Sequence, residues 1–520
     1  MHRTLLHRLA GVAALGLLLG ACGDDGGNDW DTSLEQPTVI ETNGHFALVN
    51  GAWDELELLT PSSDSVAIAP FEAPGEIVTI RGVGDERIAL ITRPDTAFHL
   101  VDPATGNTET WPLDNPYDAF AVSDDGRFVV LYTSPSGSGD PDSILFNPNA
   151  VTVIDRDAPA DAEPRTFSLT GPRPQTVTFA PAFTLLDPDA PKHMAVITGQ
   201  SAVSFVDLTT DEDIDRQRLV RLTDPSTGRQ LTPRSVVFSS DDPGDPNDVT
   251  AFVLASGSAE LFAIDLLPAD PATGREIQPA INQITTVTSP NELHRFVIDG
   301  REKLLVTGSG GLDIAVVDVR TNAVSRVQLD RPLTSAELFE EEADGAIRPR
   351  AILYRPGDAL VYFAELDAIE RQGMGALRAR TLGGAVNAVE ILETGGSRKA
   401  LARYTNNTGL SVINIDTRTE VPIPARVQLG DFVIAGDLFF AVVPGTSKLG
   451  VVDLLTESVG ELDLPAAGVS VHAALGANAL LVVHDSDYGH VSVLSLATFT
   501  DGPHTELRGL FFDDLFDREF

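Results

Sequence analysis

The stretch Val151–Asp155 reads VTVID, a β-branched, alternating run closed by an aspartate. Such residues fit a pleated, half-buried strand, and an Asp placed straight after a strand is a turn-former. The phrase recurs as FHLVD (Phe98–Asp102), VSFVD (Val203–Asp207), LFAID (Leu261–Asp265), IAVVD (Ile314–Asp318) and LGVVD (Leu449–Asp453). Looser copies are LELLT (Leu56–Thr60), LVYFA (Leu360–Ala364), LSVIN (Leu410–Asn414) and VSVLS (Val491–Ser495). Their ends lie ~48 residues apart on average, and a period of ~40–50 residues marks propeller blades of four strands.

The surroundings of one copy repeat the same grammar. AFAVSDDG (Ala119–Gly126), RFVVLYTS (Arg127–Ser134), NAVTVIDRD (Asn149–Asp157) and PRTFSLT (Pro164–Thr170) read as four short strands joined by turns. No segment of helical length shows a 3.6-residue period with caps at both ends. The expectation is therefore an all-β chain, a β-propeller of four-stranded antiparallel blades with about eight to ten repeat units over residues 36–520. Ten copies fit one large ring, eight blades with some over-read copies, or two packed rings. No Pro/Ser-rich linker splits the chain, which favours a single continuous array. Residues Phe511–Phe520 read as a short helix or a closing strand. The recurrent Asp residues read as turn-makers, each accepting a backbone N–H two residues on, and not as a ring of catalytic carboxylates.

This grammar of an Asp-Gly turn, a strand and a "VID"-like phrase resembles the YVTN/lactonase-type β-propeller repeat over about residues 36–515. The resemblance implies the fold and leaves the role open, since such propellers serve many functions. The string Tyr-Val-Thr-Asn itself is absent, and blades 5 and 7 have expanded or degenerate loops. Val101–Trp111 (VDPATGNTETW) is similar to one repeat of quinoprotein-like propellers, in which a Trp docks adjacent blades, but it occurs once.

The chain's N-terminus supplies an address. Arg3 and Arg8 precede an apolar run from Leu9 to Leu19 that is too short to span a bilayer, which needs about 20 residues. Leu19-Gly20-Ala21-Cys22 resembles the bacterial lipobox, which implies cleavage before Cys22 and acylation of that cysteine. Residues 1–21 are then a lipoprotein signal peptide, and residues 22–35, with the polar stretch GDDGGNDWD (Gly23–Asp31), a flexible tether. The lipobox implies a protein of the bacterial cell envelope, and Gly rather than Asp after Cys22 resembles the outer-membrane sorting pattern of cells with two membranes. Cys22 is the only cysteine, so an intrachain disulfide and a zinc–cysteine cluster are both excluded.

Composition narrows the partners. The 520 residues include 76 Asp+Glu against 36 Lys+Arg, a formal charge of −40. A nucleic acid would be repelled by so acidic a chain. Hydrophobic residues make up 42%, which excludes global disorder. A closed ring hides its strand edges, so a monomer is expected.

Three loops carry candidate chemistry. Asp241, Asp242, Asp245 and Asp248 form an oxygen-rich loop of the kind Ca²⁺ takes, without EF-hand spacing or a closing Glu, so a solvated loop is the first reading. His484, Asp485, Asp487 and His490 lie between two apolar strands, where a hairpin would bring both imidazoles within reach of a metal, or simply present a polar tip. Ser134–Asn149 is a long Gly/Pro/Ser loop with an apolar centre, either filler or a partner contact. No G-x-S-x-G, H-E-x-x-H or Walker motif occurs, and no cofactor is implied. The expected role is a non-enzymatic binding or scaffold module with a protein or glycan partner at the propeller face. The alternatives are a lactonase-like hydrolase acting on a small cyclic ester, an envelope-assembly scaffold, and an adhesive surface bridged by divalent cations.

Overall fold

Strands Phe128–Tyr132 and Ala150–Asp155 are buried almost throughout, whereas Arg165–Ser168 alternates between half-buried and exposed. A strand that is apolar on both faces must be covered on both faces, and a stack of sheets does this. The computed structural model describes residues 37–510, apart from 50–54, 64, 85, 94–95, 138–145, 160–161, 184–191, 210–216, 241–247, 269–276, 344–345, 395 and 486–488. The strands form ten sheets, each of four consecutive antiparallel strands. The blades span residues 38–72, 76–112, 119–168, 174–221, 232–285, 290–328, 335–381, 386–424, 432–463 and 468–507, numbered 1 to 10 in that order.

The core lies between the blades. Phe98 and Leu100 of blade 2 meet Phe120 and Leu131 of blade 3. The same pairing of neighbours runs on around the molecule. It ends where Leu481 and Val493 of blade 10 pack on Phe46 and Leu48 of blade 1, with Leu510 in the same cluster. Polar contacts reinforce that seam. Gly476 N–H donates to Asn43 O at 2.7 Å, and His472 Nδ1 lies 2.8 Å from Glu41 Oε1. The molecule is thus a closed ten-bladed β-propeller. First strands of neighbouring blades approach one another around the central channel, and fourth strands such as Ser458–Asp463 face solvent.

Every one of the ten recurring phrases lies on the third strand of its blade, so the count of copies is the count of blades. The four strands read around VTVID are all present, shortened to Ala119–Val122, Phe128–Tyr132, Ala150–Asp155 and Arg165–Ser168. The aspartates do what the sequence asks of them at four positions. Asp102, Asp155, Asp207 and Asp453 accept from the N–H groups of Ala104, Asp157, Thr209 and Leu455 at 2.8–3.1 Å. Asp318 reaches one residue further, to Thr321 N–H. Asp265 departs: its strand continues to Pro268, and its carboxylate accepts from Thr250 Oγ1 at 2.7 Å instead. One helix, Leu366–Gln372, follows the third strand of blade 7. It is too short to show a period, and it forms because Leu366, Ala368 and Ile369 bury while Asp367 pairs with Arg350. Trp111, on the last strand of blade 2, packs against the cluster shared with blade 3.

Strand alternation sorts the loops. Turns between second and third strands share one face with the connections between blades. Turns between first and second strands lie on the other.

Candidate functional site

The strands that flank the two oxygen-rich stretches end on opposite faces and half a ring apart. Residues 240–249 join the first and second strands of blade 5, and residues 485–490 join the second and third strands of blade 10. Asp241, Asp242 and Asp245 lie outside the described residues, as do Asp487 and Cys22. Asp248 accepts from Ser240 Oγ at 2.9 Å, a contact that closes the base of its loop. Of the Ser134–Asn149 stretch, which lies on the same face as 485–490, residues 138–145 are also outside the description.

In blade 10 the hairpin does bring the imidazoles together. The rings of His484 and His490 lie 4.2 Å apart. Their nitrogens are engaged by the protein. His484 Nδ1–H donates to Ala466 O at 3.2 Å, which leaves Nε2 to accept from Ser492 Oγ at 2.7 Å. His490 Nε2 lies 2.8 Å from Glu506 Oε1, and Asp485 N–H donates to Ala467 O. Burial, and then the neighbouring His490, push His484 down to about 4, so it is neutral and can accept from Ser492. The Ser492–His484 pair has the atoms of a hydrolase dyad. Both residues are 0% exposed, however, so no substrate reaches the hydroxyl. Among the described residues, no group of three or more His, Cys, Asp or Glu side chains is arranged to hold a metal ion.

The same internal relay recurs in other blades. Thr92, His99 and Thr110 are linked at 3.0 Å in blade 2; Tyr117, Thr152 and Thr166 at 2.7 Å in blade 3; and Tyr404, Ser411 and Glu420 at 2.5–2.6 Å in blade 8. In each case the residue three before the end of the phrase holds the middle place. These networks satisfy polar groups inside the stack.

Charge gathers elsewhere, on the inner wall. First strands of blades 6, 7 and 8 (Pro290–Ile298, Ser335–Ala343 and Val386–Thr394) carry Glu292, His294, Glu337 and Glu390. Glu292 Oε2 is 3.1 Å from His294 Nε2 and also accepts from Ala336 N–H at 2.9 Å. Burial pushes Glu337 up to about 7; Glu292 and Glu390 add to the rise and His294 opposes it. Near neutral pH the Glu337 carboxyl can therefore donate as well as accept a hydrogen bond. Sequence reasoning missed this group. Its members are spread over ~100 residues, and each looks like an ordinary polar residue of a half-exposed strand.

No family model matches the sequence, and no curated protein matches it. Solved structures that match the chain include dihydro-heme d1 dehydrogenase NirN in complex with DHE, at 14% identity over 73% of this chain and 73% of that one, TM-score 0.42. Others are the eukaryotic initiation factor, at 10% over 91% and 96%, TM-score 0.44, and apo AztD from Citrobacter koseri, at 12% over 74% and 96%, TM-score 0.30. The reading of the site rests on this chain's own residues.

Proposed function

We propose that this propeller is a non-enzymatic binding module, tethered through a lipidated Cys22 to the bacterial cell envelope, at the outer membrane, with a protein or glycan as its partner. The observation that carries the binding role is the inner-wall group Glu292, His294, Glu337 and Glu390, built from three adjacent blades. Convergence of several blades on one wall is how a propeller makes a ligand site. Carboxylates there suit sugar hydroxyls or the ammonium groups of a peptide. Sealing of the Ser492–His484 pair inside blade 10 supports binding over hydrolysis. Anchoring is supported by the lipobox-like Leu19-Gly20-Ala21-Cys22 and by the polar tether after it. The repeat's likeness to YVTN/lactonase propellers is compatible with both roles.

The test is photocrosslinking on intact cells from a position beside Glu337, in chains with and without Cys22→Ser. A crosslinked protein or glycan that disappears with Glu337→Gln is the expected result. Cys22→Ser should release the chain from the membrane fraction and abolish labelling by an alkyne analogue of palmitate. Recovery of a β-barrel assembly component would make the module an assembly scaffold. Turnover of a cyclic ester by the purified chain, abolished by one point mutation, would overturn the non-enzymatic reading.

A further inference from the structure

Blade 9 has the same strand plan as blade 10, with one side chain missing. Register aligns the two. Gly450 pairs with Ala441 and Glu461, as Ser492 pairs with Val482 and Glu506. The hydrogen bond Val443 N–H to Lys448 O stands where His484 N–H meets His490 O. The four network positions of blade 10, His484, His490, Ser492 and Glu506, are thus Val443, Lys448, Gly450 and Glu461 in blade 9. Gly450 holds the place taken by Thr152, Ser204 and Ser411 in other blades.

The backbone does not require a glycine there. Gly450 has no left-handed φ, and a Cβ built on it would meet only Ala441 O, at 3.6 Å. What its missing side chain leaves is space. A cavity of about 550 Å³ opens between blades 8 and 9, walled by Leu410 and Ile423 on one side and by Phe439, Ala441 and Val452 on the other. Its volume is that of a small-ligand site. Val427 and Val459, 54% and 62% exposed, form an apolar lip. Three charged residues stand at the rim. Lys448 is held by Asp463, and Glu461 lies nearby. Arg426 is exposed and has no ion pair among the described residues. A mostly apolar slot with one spare guanidinium at its mouth complements a single aliphatic chain ending in an anion.

We infer that the pocket between blades 8 and 9 binds a free fatty carboxylate, its chain against Phe439 and Val452 over Gly450 and its carboxylate on Arg426. This site lies between blades, away from the inner wall, and does not depend on the function proposed above.

The test uses the full chain carrying Cys22→Ser, so that no acyl group of its own competes. A dansyl-labelled undecanoic acid is the probe, displaced by octanoate, decanoate and dodecanoate. Affinity should rise about fourfold for each added CH₂. Gly450→Leu, which fills the slot, should weaken the probe by more than about tenfold at an unchanged melting temperature. Arg426→Glu, on the surface and harmless to folding, should weaken dodecanoate about tenfold and leave dodecanol unaffected. Absence of probe binding, affinity flat with chain length, or equal binding by Gly450→Leu would each overturn the proposal. Should Gly450→Leu not fold, the Arg426→Glu comparison and the chain-length series decide. Equal loss of dodecanoate and dodecanol with Arg426→Glu would overturn the headgroup assignment.

Discussion

Blades 9 and 10 are neighbours of one design, and they spend the same four positions differently. In blade 10, His484 pairs with Ser492 and His490 pairs with Glu506, and the two imidazoles lie 4.2 Å apart. In blade 9, Val443, Gly450, Lys448 and Glu461 leave a cavity open to solvent. The shared plan holds the ring together. A specific site arises where one blade departs from it, and here the departure is a deletion to hydrogen inside a strand. In a repeat protein, the residue to look for is the one its sister copies do not have.

The harshest way to break this contrast is to convert blade 10 into blade 9. His484→Val should cost about 2–4 kcal/mol, because it strands the buried Ser492 hydroxyl and the Ala466 carbonyl. The double variant His484→Val/Ser492→Gly should cost about 1 kcal/mol less than the sum of its singles, since the orphaned hydroxyl is gone. Denaturant midpoints measure both, and strict additivity would mean the two residues act independently.

Acid offers a gentler version of the same break. His484 binds a proton near 6.5 when unfolded and only near 4 when folded. The unfolded chain therefore holds more protons between those values, and stability falls as pH drops through them. This contribution is fully present above pH 6.5. Melting temperature followed from pH 7 to pH 4 should fall more steeply in the native protein than in His484→Gln. Parallel curves would place the acid sensitivity elsewhere.

The smallest effect sharpens the contrast from the other side. Gly450→Ser, which moves blade 9 toward blade 10, should be neutral or stabilise by about 0.5 kcal/mol. The cavity accepts the new atoms, and the unfolded chain loses freedom. A loss above about 1 kcal/mol would show that the slot is closed in solution.

Blade count and strand identity were legible because each blade stacks both faces of its third strand and then turns sharply. Those two demands write an apolar, β-branched run ten times over, closed by Asp in six of the copies. Asp265 misled because strand Glu260–Pro268 runs on past it, and an acid in a longer strand looks like an acid at a turn. His484 and His490 were legible as a pair. That His484 would be sealed was written only in the run Ala479–Val483 before it, which is buried throughout. The inner-wall carboxylates were not legible, because their proximity is set by the stacking of three blades and by no local spacing. Gly450 stood in plain sight within LGVVD, which read as one more full copy of the phrase. Its meaning needed the register with Ala441 and Glu461.

The seam between blades 1 and 10 has one more consequence. Each sheet is made of consecutive strands, and the first and last blades meet at an interface of the same apolar kind as the other nine. Nothing in the ring marks where it begins. A circularly permuted chain, with its old ends joined and new ones cut in the connection between blades 6 and 7, should close into the same ring. The ring closes between blades 10 and 1 by the same kind of contact that joins every other pair of blades, so closure asks nothing special of the first and last links.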